Sequence, residues 1–342
     1  MKSRHLVALV GGIATLAALQ PISAPAQKLQ QQLTPVTMSF LSRGDGAAAN
    51  LVAALDQGFF RREGLDVTFL VPSNPAAAMQ LVAAGTVQFA VAHSTDVILA
   101  RSRELPIVSI GVTHQYGLAG VMAPAERNIR SPRDLEGLTI GITGIPANRI
   151  MLQHMLQTNG VNLDKVRILS IGFSLTPSLL AGKIDALGDA IQWADPITYN
   201  LAKGRDGNES GAYTFLPFYL HGVPRYYTFG IVTSENYLLQ NADIAQRFMR
   251  GWAAGLQWSV DNPEKAVEFL LKHYPENDRR AALGMWRALS AVVSSEETKA
   301  HGLGWQSIDV WRTQEAFMRD KSLISTTVDV SRAMTNQYLP GR

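Results

Sequence analysis

Five short polar stretches stand where an expected strand hands over to an expected helix, and their residue types can do chemistry. They are Arg43-Gly44-Asp45-Gly46-Ala47, Ser73-Asn74-Pro75, His93-Ser94-Thr95, Thr143-Gly144-Ile145-Pro146-Ala147-Asn148 and Gln192-Trp193-Ala194-Asp195-Pro196. The chemistry is non-covalent. Free backbone N–H groups at a helix start, with the helix dipole behind them, favour an anion or a carbonyl oxygen. In open α/β sheets, ligands gather outside the carboxyl ends of the strands, where such joints lie. Asp45, Asn74, His93, Ser94, Thr95, Thr143, Gly144 and Asn148 are therefore the candidate ligand contacts from the first four joints. Ordinary helix capping accounts equally for Asn74, Ser94 and Thr95, and a lone histidine is more often structural. In the fifth joint Trp193 offers a flat face for stacking and one N–H donor, and it also fits core packing. Asp195 reads as the cap of the helix that follows. Arg149 and Arg225 are candidate anion partners, although exposed arginine is the default.

Catalytic patterns are missing. The chain has no cysteine, which excludes disulfides, thiolate metal sites and a cysteine nucleophile. Its 7 histidines show no metal-ligand spacing. There is no Gly-x-Ser-x-Gly elbow, phosphate loop or His-Glu-x-x-His. The expectation is no catalytic residue, no metal and no cofactor.

The elements that must position these joints alternate. Val36–Leu41, Val67–Val71, Val87–Ala92 and Ile107–Val112 read as strands, separated by helices at Ala47–Leu55, Pro75–Ala84 and Thr95–Arg101. In the first helical stretch Leu51, Leu55 and Phe59 recur every four residues and make one apolar face. Gly64 suits the helix stop. A second α/β unit follows, with strands at Leu118–Met122, Thr139–Ile142, Val166–Ile171 and Asp185–Leu187. Such alternation predicts mostly parallel sheets flanked by helices. The joint Ala84-Gly85-Thr86-Val87-Gln88-Phe89 is echoed by Ala181-Gly182-Lys183-Ile184-Asp185-Ala186, which suggests two like-folded lobes. Tyr226–Thr233 reads as a last strand. Beyond it Ile244, Phe248, Trp252, Leu256 and Val260 form an i, i+4 stripe, and helices follow to the end.

Met1-Lys2-Ser3-Arg4-His5 is a short basic start. An apolar run from Leu6 to Leu19 and Ser23-Ala24-Pro25-Ala26 follow it. That layout is a secretory signal peptide with cleavage expected after Ala26, and the run is short for a membrane span. With no cysteine for a lipid anchor, the mature protein is expected free in the periplasm. The formal charge of +3 falls toward neutral once Lys2 and Arg4 leave, and no basic run marks a nucleic-acid surface. Removal of residues 1–26 leaves 316 residues, enough for two lobes.

Gly58-Phe59-Phe60-Arg61-Arg62-Glu63-Gly64-Leu65-Asp66-Val67, between a small-residue helix and a strand, resembles the opening of a known family. These are the NMT1/THI5-like solute-binding proteins of the nitrate/sulfonate/taurine and thiamine-pyrimidine importers. The resemblance covers roughly residues 36–260. It implies a type II-like periplasmic binding fold with mixed sheets and a hinged cleft. It implies lobe I at 35–115 plus 240–342, lobe II at 116–239, and terminal helices that largely return to lobe I. The family often has an acid in the helix-to-strand joint of each lobe, where this chain has Gln88 and Asp185. Its lobe II often supplies an aromatic or polar side chain near Trp193 and Asp195. Gly222-Val223-Pro224-Arg225-Tyr226 resembles the pyrimidine-binding branch and adds Tyr226 to the candidate contacts. Phe40-Leu41-Ser42-Arg43-Gly44 departs from that branch, which commonly carries a tryptophan and an asparagine-rich stretch there.

The implied function is the periplasmic solute-binding component of an ABC importer. It would close by its hinge on a small sulfonate, nitrate, organic acid or pyrimidine-class solute and dock transiently on an inner-membrane permease. A monomer is expected, without nucleic-acid partners. The alternatives are a periplasmic sensing subunit for a membrane receptor, and an enzyme. Eukaryotic relatives of this fold make the thiamine pyrimidine with cysteines and a histidine-rich site, which this chain lacks.

Overall fold

Runs of apolar residues too short for helices become two five-stranded sheets, and the intervening amphipathic runs become the helices that cover them. The computed structural model describes residues 32–40, 44–72, 75–172 and 174–341. The expected signal segment lies outside the described residues, as do Ser42, Arg43 and Asn74.

The first sheet is built from β1 (Thr34–Ser39), β2 (Leu65–Leu70), β3 (Phe89–Ala92), β4 (Ile107–His114) and a late strand, β10 (Thr228–Ser234), in the order β2-β1-β3-β10-β4. The second holds β5 (Ala119–Pro124), β6 (Thr139–Ile142), β7 (Arg167–Ser170), β8 (Ala186–Ile191) and β9 (Tyr213–Pro217), in the order β7-β6-β8-β5-β9. The two orders superimpose. Each sheet has a parallel core of three strands and then one antiparallel strand, β10 or β5. In each case that strand is the first one the chain forms after crossing between sheets.

This corrects the expected boundary at residue 239. The strand at Thr228–Ser234 does not finish the second lobe. It lies between β3 and β4 of the first sheet, with Gly230 opposite Ala92 on one side and Val112 on the other. The second crossing therefore falls between β9 and β10. Alternating sequence patterns favour a strand that pairs near its neighbours in the chain. Here the strand returns antiparallel across more than a hundred residues, and no local signal marks that. β9 was not foreseen either; it is a five-residue edge strand paired with β5 alone.

The internal echo has a physical basis. Gln88 Oε1 accepts the Thr37 N–H at 2.8 Å, and Asp185 Oδ2 accepts the Thr139 N–H at 2.8 Å. In return the Gln88 N–H reaches Thr37 O at 3.0 Å, and the Asp185 N–H reaches Thr139 O at 2.7 Å. The joint needs an acceptor for a half-buried strand N–H, and an amide oxygen serves as well as a carboxylate. The turn before it needs a left-handed residue, met by Gly85 at φ 75° and Gly182 at φ 68°.

The helix Ala242–Asp261 carries the expected stripe, with Phe248, Trp252 and Leu256 buried in one core with Val36, Met38 and Phe89 of the first sheet. It crosses the helix Ala49–Asp56 where side chains are smallest: a Cβ on Gly255 would lie 2.3 Å from Ala54 Cβ and 2.9 Å from its Cα. Farther along, Trp311 and Met318 pack with residues of β3 and β4. The C-terminal helices thus complete the first sheet's core. Because neither backbone can yield at the crossing, Gly255→Val is expected to destabilise the fold by about 1–3 kcal/mol, the range for overpacking a core, measurable as a lowered urea midpoint.

Candidate functional site

The antiparallel return of β10 places Phe229 beside the end of β4, opposite the loop that follows β8. Three rings meet the Phe229 ring edge-on. Their centroids are His93 at 5.5 Å, His114 at 5.6 Å and Trp193 at 5.8 Å. His93 follows β3, His114 ends β4, and Trp193 comes from the second sheet. The cluster is therefore one place where the two lobes touch through aromatic side chains; another is His154 against Phe317, with ring centroids 5.0 Å apart.

Phe229 pays a conformational cost for this place. Its φ is 54°, in the left-handed region, where a bulky side chain costs on the order of 1–3 kcal/mol. Two hydrogen bonds hold it. Thr113 Oγ1 donates to Phe229 O at 2.8 Å, and the Phe229 N–H donates to His93 Nδ1 at 3.4 Å. His93 Nδ1 is thus an acceptor, and in the neutral ring the proton sits on Nε2. Burial lowers the pKa of His93, against the opposing pull of Asp96. His114 is also kept neutral: burial takes it down to about 4, although its bond to Leu289 O and the nearby His93 contribute with opposite signs. Its Nε2 lies 3.1 Å from Leu289 O, and because a carbonyl only accepts, Nε2 carries the proton.

The second lobe brings a polar group. Buried Asp189, on β8, accepts from Thr143 N at 3.1 Å, from Thr143 Oγ1, and from Asn148 Nδ2 at 2.9 Å. Thr143, Gly144 and Asn148 do come together at one helix start, with Gly144 at φ 88°, but Thr143 N and Oγ1 and Asn148 Nδ2 donate to Asp189. Asp195 is at the first position of its helix, not the cap, which is Ala194. Its carboxylate turns back to accept the Ile191 N–H at 2.7 Å, and burial raises its pKa, helped by Asp189.

The other expected contacts are dispersed. Ser94 Oγ accepts from Tyr227 N at 2.9 Å and donates to Gln314 Oε1 at 2.7 Å, so it ties β10 and the helix Ile308–Asp320 to the first sheet. Thr95 is half-buried in the first turn of the helix Ser94–Arg101. Asp45 caps the short helical turn Gly46–Ala48 by accepting the Ala47 N–H at 3.0 Å. Tyr226 is buried against Gly117, where a Cβ would lie 2.0 Å from its ring, and burial raises its pKa. Arg149 Nη2 donates to Ser170 Oγ at 3.1 Å. Arg225 forms a paired contact with Glu297 at 3.1 and 2.7 Å and lies 4.7 Å over the Tyr116 ring. Arg225 is thus already paired with a carboxylate, whereas Arg149 meets only a serine hydroxyl.

Reading the residues missed Phe229 and His114. Phe229 sat inside a strand of high β propensity, and His114 lies two residues past the expected end of β4. No local pattern distinguishes either. Among the described residues no helix is long and apolar enough to cross a membrane, and no group of three or more His, Cys, Asp or Glu could hold a metal.

Two sheets of one topology, joined by two crossings and touching through an aromatic cluster, define a two-lobed binding protein of the periplasmic type. The chain belongs to the NMT1/THI5-like family, whose sequence pattern matches residues 46–266. Similar relatives include the formylaminopyrimidine-binding protein of Halalkalibacterium halodurans, 32% identical over 91% of this chain and 92% of its own. The riboflavin-binding protein RibY of Chloroflexus aurantiacus is 28% identical over 96% of this chain and 92% of its own. The fold is shared with the periplasmic aliphatic sulphonate binding protein SsuA from Escherichia coli, with a TM-score of 0.64 and 10% identity over 88% of this chain and 92% of that one.

The depressed pKa of His114 sets a pH dependence. Between the ordinary value of 6.5 and about 4 the unfolded chain binds a proton that the folded chain refuses, so stability falls as pH drops through that window. The loss is on the order of 3 kcal/mol at the acid end. Urea unfolding at pH 7 and pH 4.5 is expected to show a smaller acid loss in His114→Gln than in the parent.

Proposed function

We propose that this protein is the periplasmic solute-binding component of an ABC importer, and that its solute is a flat, uncharged nitrogen heterocycle of the aminopyrimidine kind. The observation that carries this reading is the meeting of Trp193 from the second lobe with the conformationally strained Phe229 of the first. Aromatic faces on both lobes give a flat solute contacts that exist only when the lobes approach. Such differential contact is what a ligand needs in order to shift a hinged protein toward its closed state. The hinge runs through the crossings before β5 and before β10.

The electrostatics favour a neutral guest over a sulfonate or nitrate. His93 and His114 are held neutral by burial, and Arg225 is paired with the Glu297 carboxylate. The similarity to a formylaminopyrimidine-binding protein and to a riboflavin-binding protein, both named for ring solutes, supports the same class. The N-terminal basic and apolar segment supports export to the periplasm, and the closed form would present both lobes to a permease. The protein acts as a monomer and releases its solute unaltered.

Thermal-shift and calorimetric titrations with a formylaminopyrimidine, riboflavin, taurine and nitrate test this directly. A heterocycle is expected to raise the melting temperature, since a ligand that binds only the folded state stabilises it once its concentration exceeds Kd, and the two anions are expected to leave it unchanged. Trp193→Ala is expected to weaken the heterocycle by about 1–3 kcal/mol, the scale of a ring stacked on an aromatic side chain. Unchanged affinity in that variant would remove Trp193 from the site. Mass spectrometry of the recovered ligand is expected to show the starting compound.

A further inference from the structure

One contact between the lobes is made without any ring. Ile197, in the helix Asp195–Ala202 of the second lobe, is 2% exposed, yet it belongs to neither lobe's apolar core. It is covered by a notch between two glycines. Gly207 lies in the loop after Ile197's own helix, and Gly284 lies inside the helix Arg279–Ser290 of the first lobe. A Cβ on Gly207 would stand 2.9 Å from Ile197 Cγ2, and one on Gly284 would stand 2.8 Å from the same atom. Beside them Asn208 Nδ2 donates to Gly284 O at 3.0 Å.

Both sides of the notch are braced from behind. Asn200 is fully buried, and its Nδ2 donates to Gly207 O at 3.0 Å and to Glu209 O at 2.7 Å, which fixes the loop on its helix. On the first lobe Ala282, Trp286 and Leu289 sit in the core of the first sheet, and Trp286 Nε1 donates to Ser259 O at 2.9 Å. Two braced surfaces therefore meet through one knob, one notch and one hydrogen bond.

The first lobe alone gives Gly284 no reason to be glycine. Inside a helix, glycine is less stable than alanine because it loses more conformational freedom on folding. The Gly284 backbone is not left-handed, so its conformation does not require the missing side chain. Leaving aside its own helix, the three atoms nearest a Cβ there are Ile197 Cγ2, Asn208 Oδ1 and Ile197 Cδ1, at 2.8, 3.5 and 3.6 Å. All three belong to the second lobe. The absent side chain thus makes room for the other lobe.

We propose that Ile197, Gly207, Asn208 and Gly284 form a clasp that holds the lobes together before the solute arrives, and that it sets affinity without touching the solute. A solute that needs the closed arrangement binds with an apparent Kd equal to its intrinsic Kd divided by the closed fraction. The clasp raises that fraction, so these are positioning residues. The inference rests on the reading above of a binding protein that closes by a hinge, and it does not depend on which solute is taken.

Substitution of Gly284 separates a clasp from a merely structural glycine. Gly284→Ala is expected to leave the melting temperature of the solute-free protein unchanged or raised, since a helical glycine is replaced where only the other lobe stands in the way. The formylaminopyrimidine is expected to bind that variant about tenfold more weakly in calorimetric titration. Ile197→Ala/Gly284→Ala, which trades the knob for the methyl, is expected to bind no more weakly than Ile197→Ala alone, the non-additivity of a shared contact. A second measurement needs no solute. The chain has no cysteine, so spin labels on cysteines introduced at the exposed positions Lys203 and Arg280 report the interlobe distance. The parent is expected to show a short-distance population that Gly284→Leu loses. An unchanged distance distribution in Gly284→Leu, or a lowered melting temperature or unchanged pyrimidine affinity in Gly284→Ala, would overturn the clasp. If the pyrimidine binds none of these proteins while the distances still respond, the clasp stands and the ring-solute reading falls.

Discussion

The structure depends on one topological constraint: after leaving each lobe, the chain must enter the other through the middle of its sheet, antiparallel, as the fourth strand. For the first sheet this forces β10 between β3 and β4. The residues that leave the lobe, Thr113 and His114, then lie beside the residues that return to it, Thr228 and Phe229. Thr228 stands opposite His114 in the strand register, and Thr228 Oγ1 donates to Tyr116 O at 3.1 Å. The two crossings run side by side because the sheet admits no other route. Tyr226 on Gly117 and Arg225 over Tyr116 pack the pair together. The left-handed backbone of Phe229 belongs to the same place: the strand starts there, and its first residues must satisfy both neighbouring strands and turn a ring toward the second lobe.

Seen this way, the polar residues at the helix starts have a different division of labour between the lobes. In the second lobe Thr143 and Asn148 converge on Asp189, which fixes the loop that faces the cleft. In the first lobe Ser94 reaches backwards to β10 and to Gln314, stitching three distant segments together. The aromatic and imidazole rings are left to face the neighbouring lobe. Rigid polar networks behind a ring-lined surface hold the rings in place.

Most of this architecture was legible in the chain. Among the described residues, the alternation of short apolar runs with glycine-ended helices located nine of the ten strands, and the four-residue spacing through Phe248, Trp252 and Leu256 located the longest helix and its buried face. Patterns of that kind report local preference and one-sided burial, and they do so over a few turns or a few pleats. What lay beyond them was long-range. Ser94 has partners 133 and 220 residues away, and the sheet that receives β10 is decided by the other lobe's position in the chain. Trp193 was readable as either a stacking surface or a core residue; the structure places it half-buried against Phe229. Phe229 itself could not be singled out, because a left-handed backbone at a phenylalanine contradicts every local preference that a sequence expresses. The departure at Phe40–Gly44 set the chain apart from the pyrimidine-binding branch, yet a formylaminopyrimidine-binding protein is among its similar relatives. A stretch near one strand end is too small a part of a cleft to decide its guest.

Gln88 carries a broader consequence. Its amide oxygen holds the first lobe's helix-to-strand joint as Asp185 holds the second, and Asp185 also draws in Arg127 as an ionic partner. The amide version asks for no counter-ion and is indifferent to ionic strength. The corner is therefore set by geometry and lone pairs, not by charge, so that an acid in one lobe and an amide in the other close the same joint.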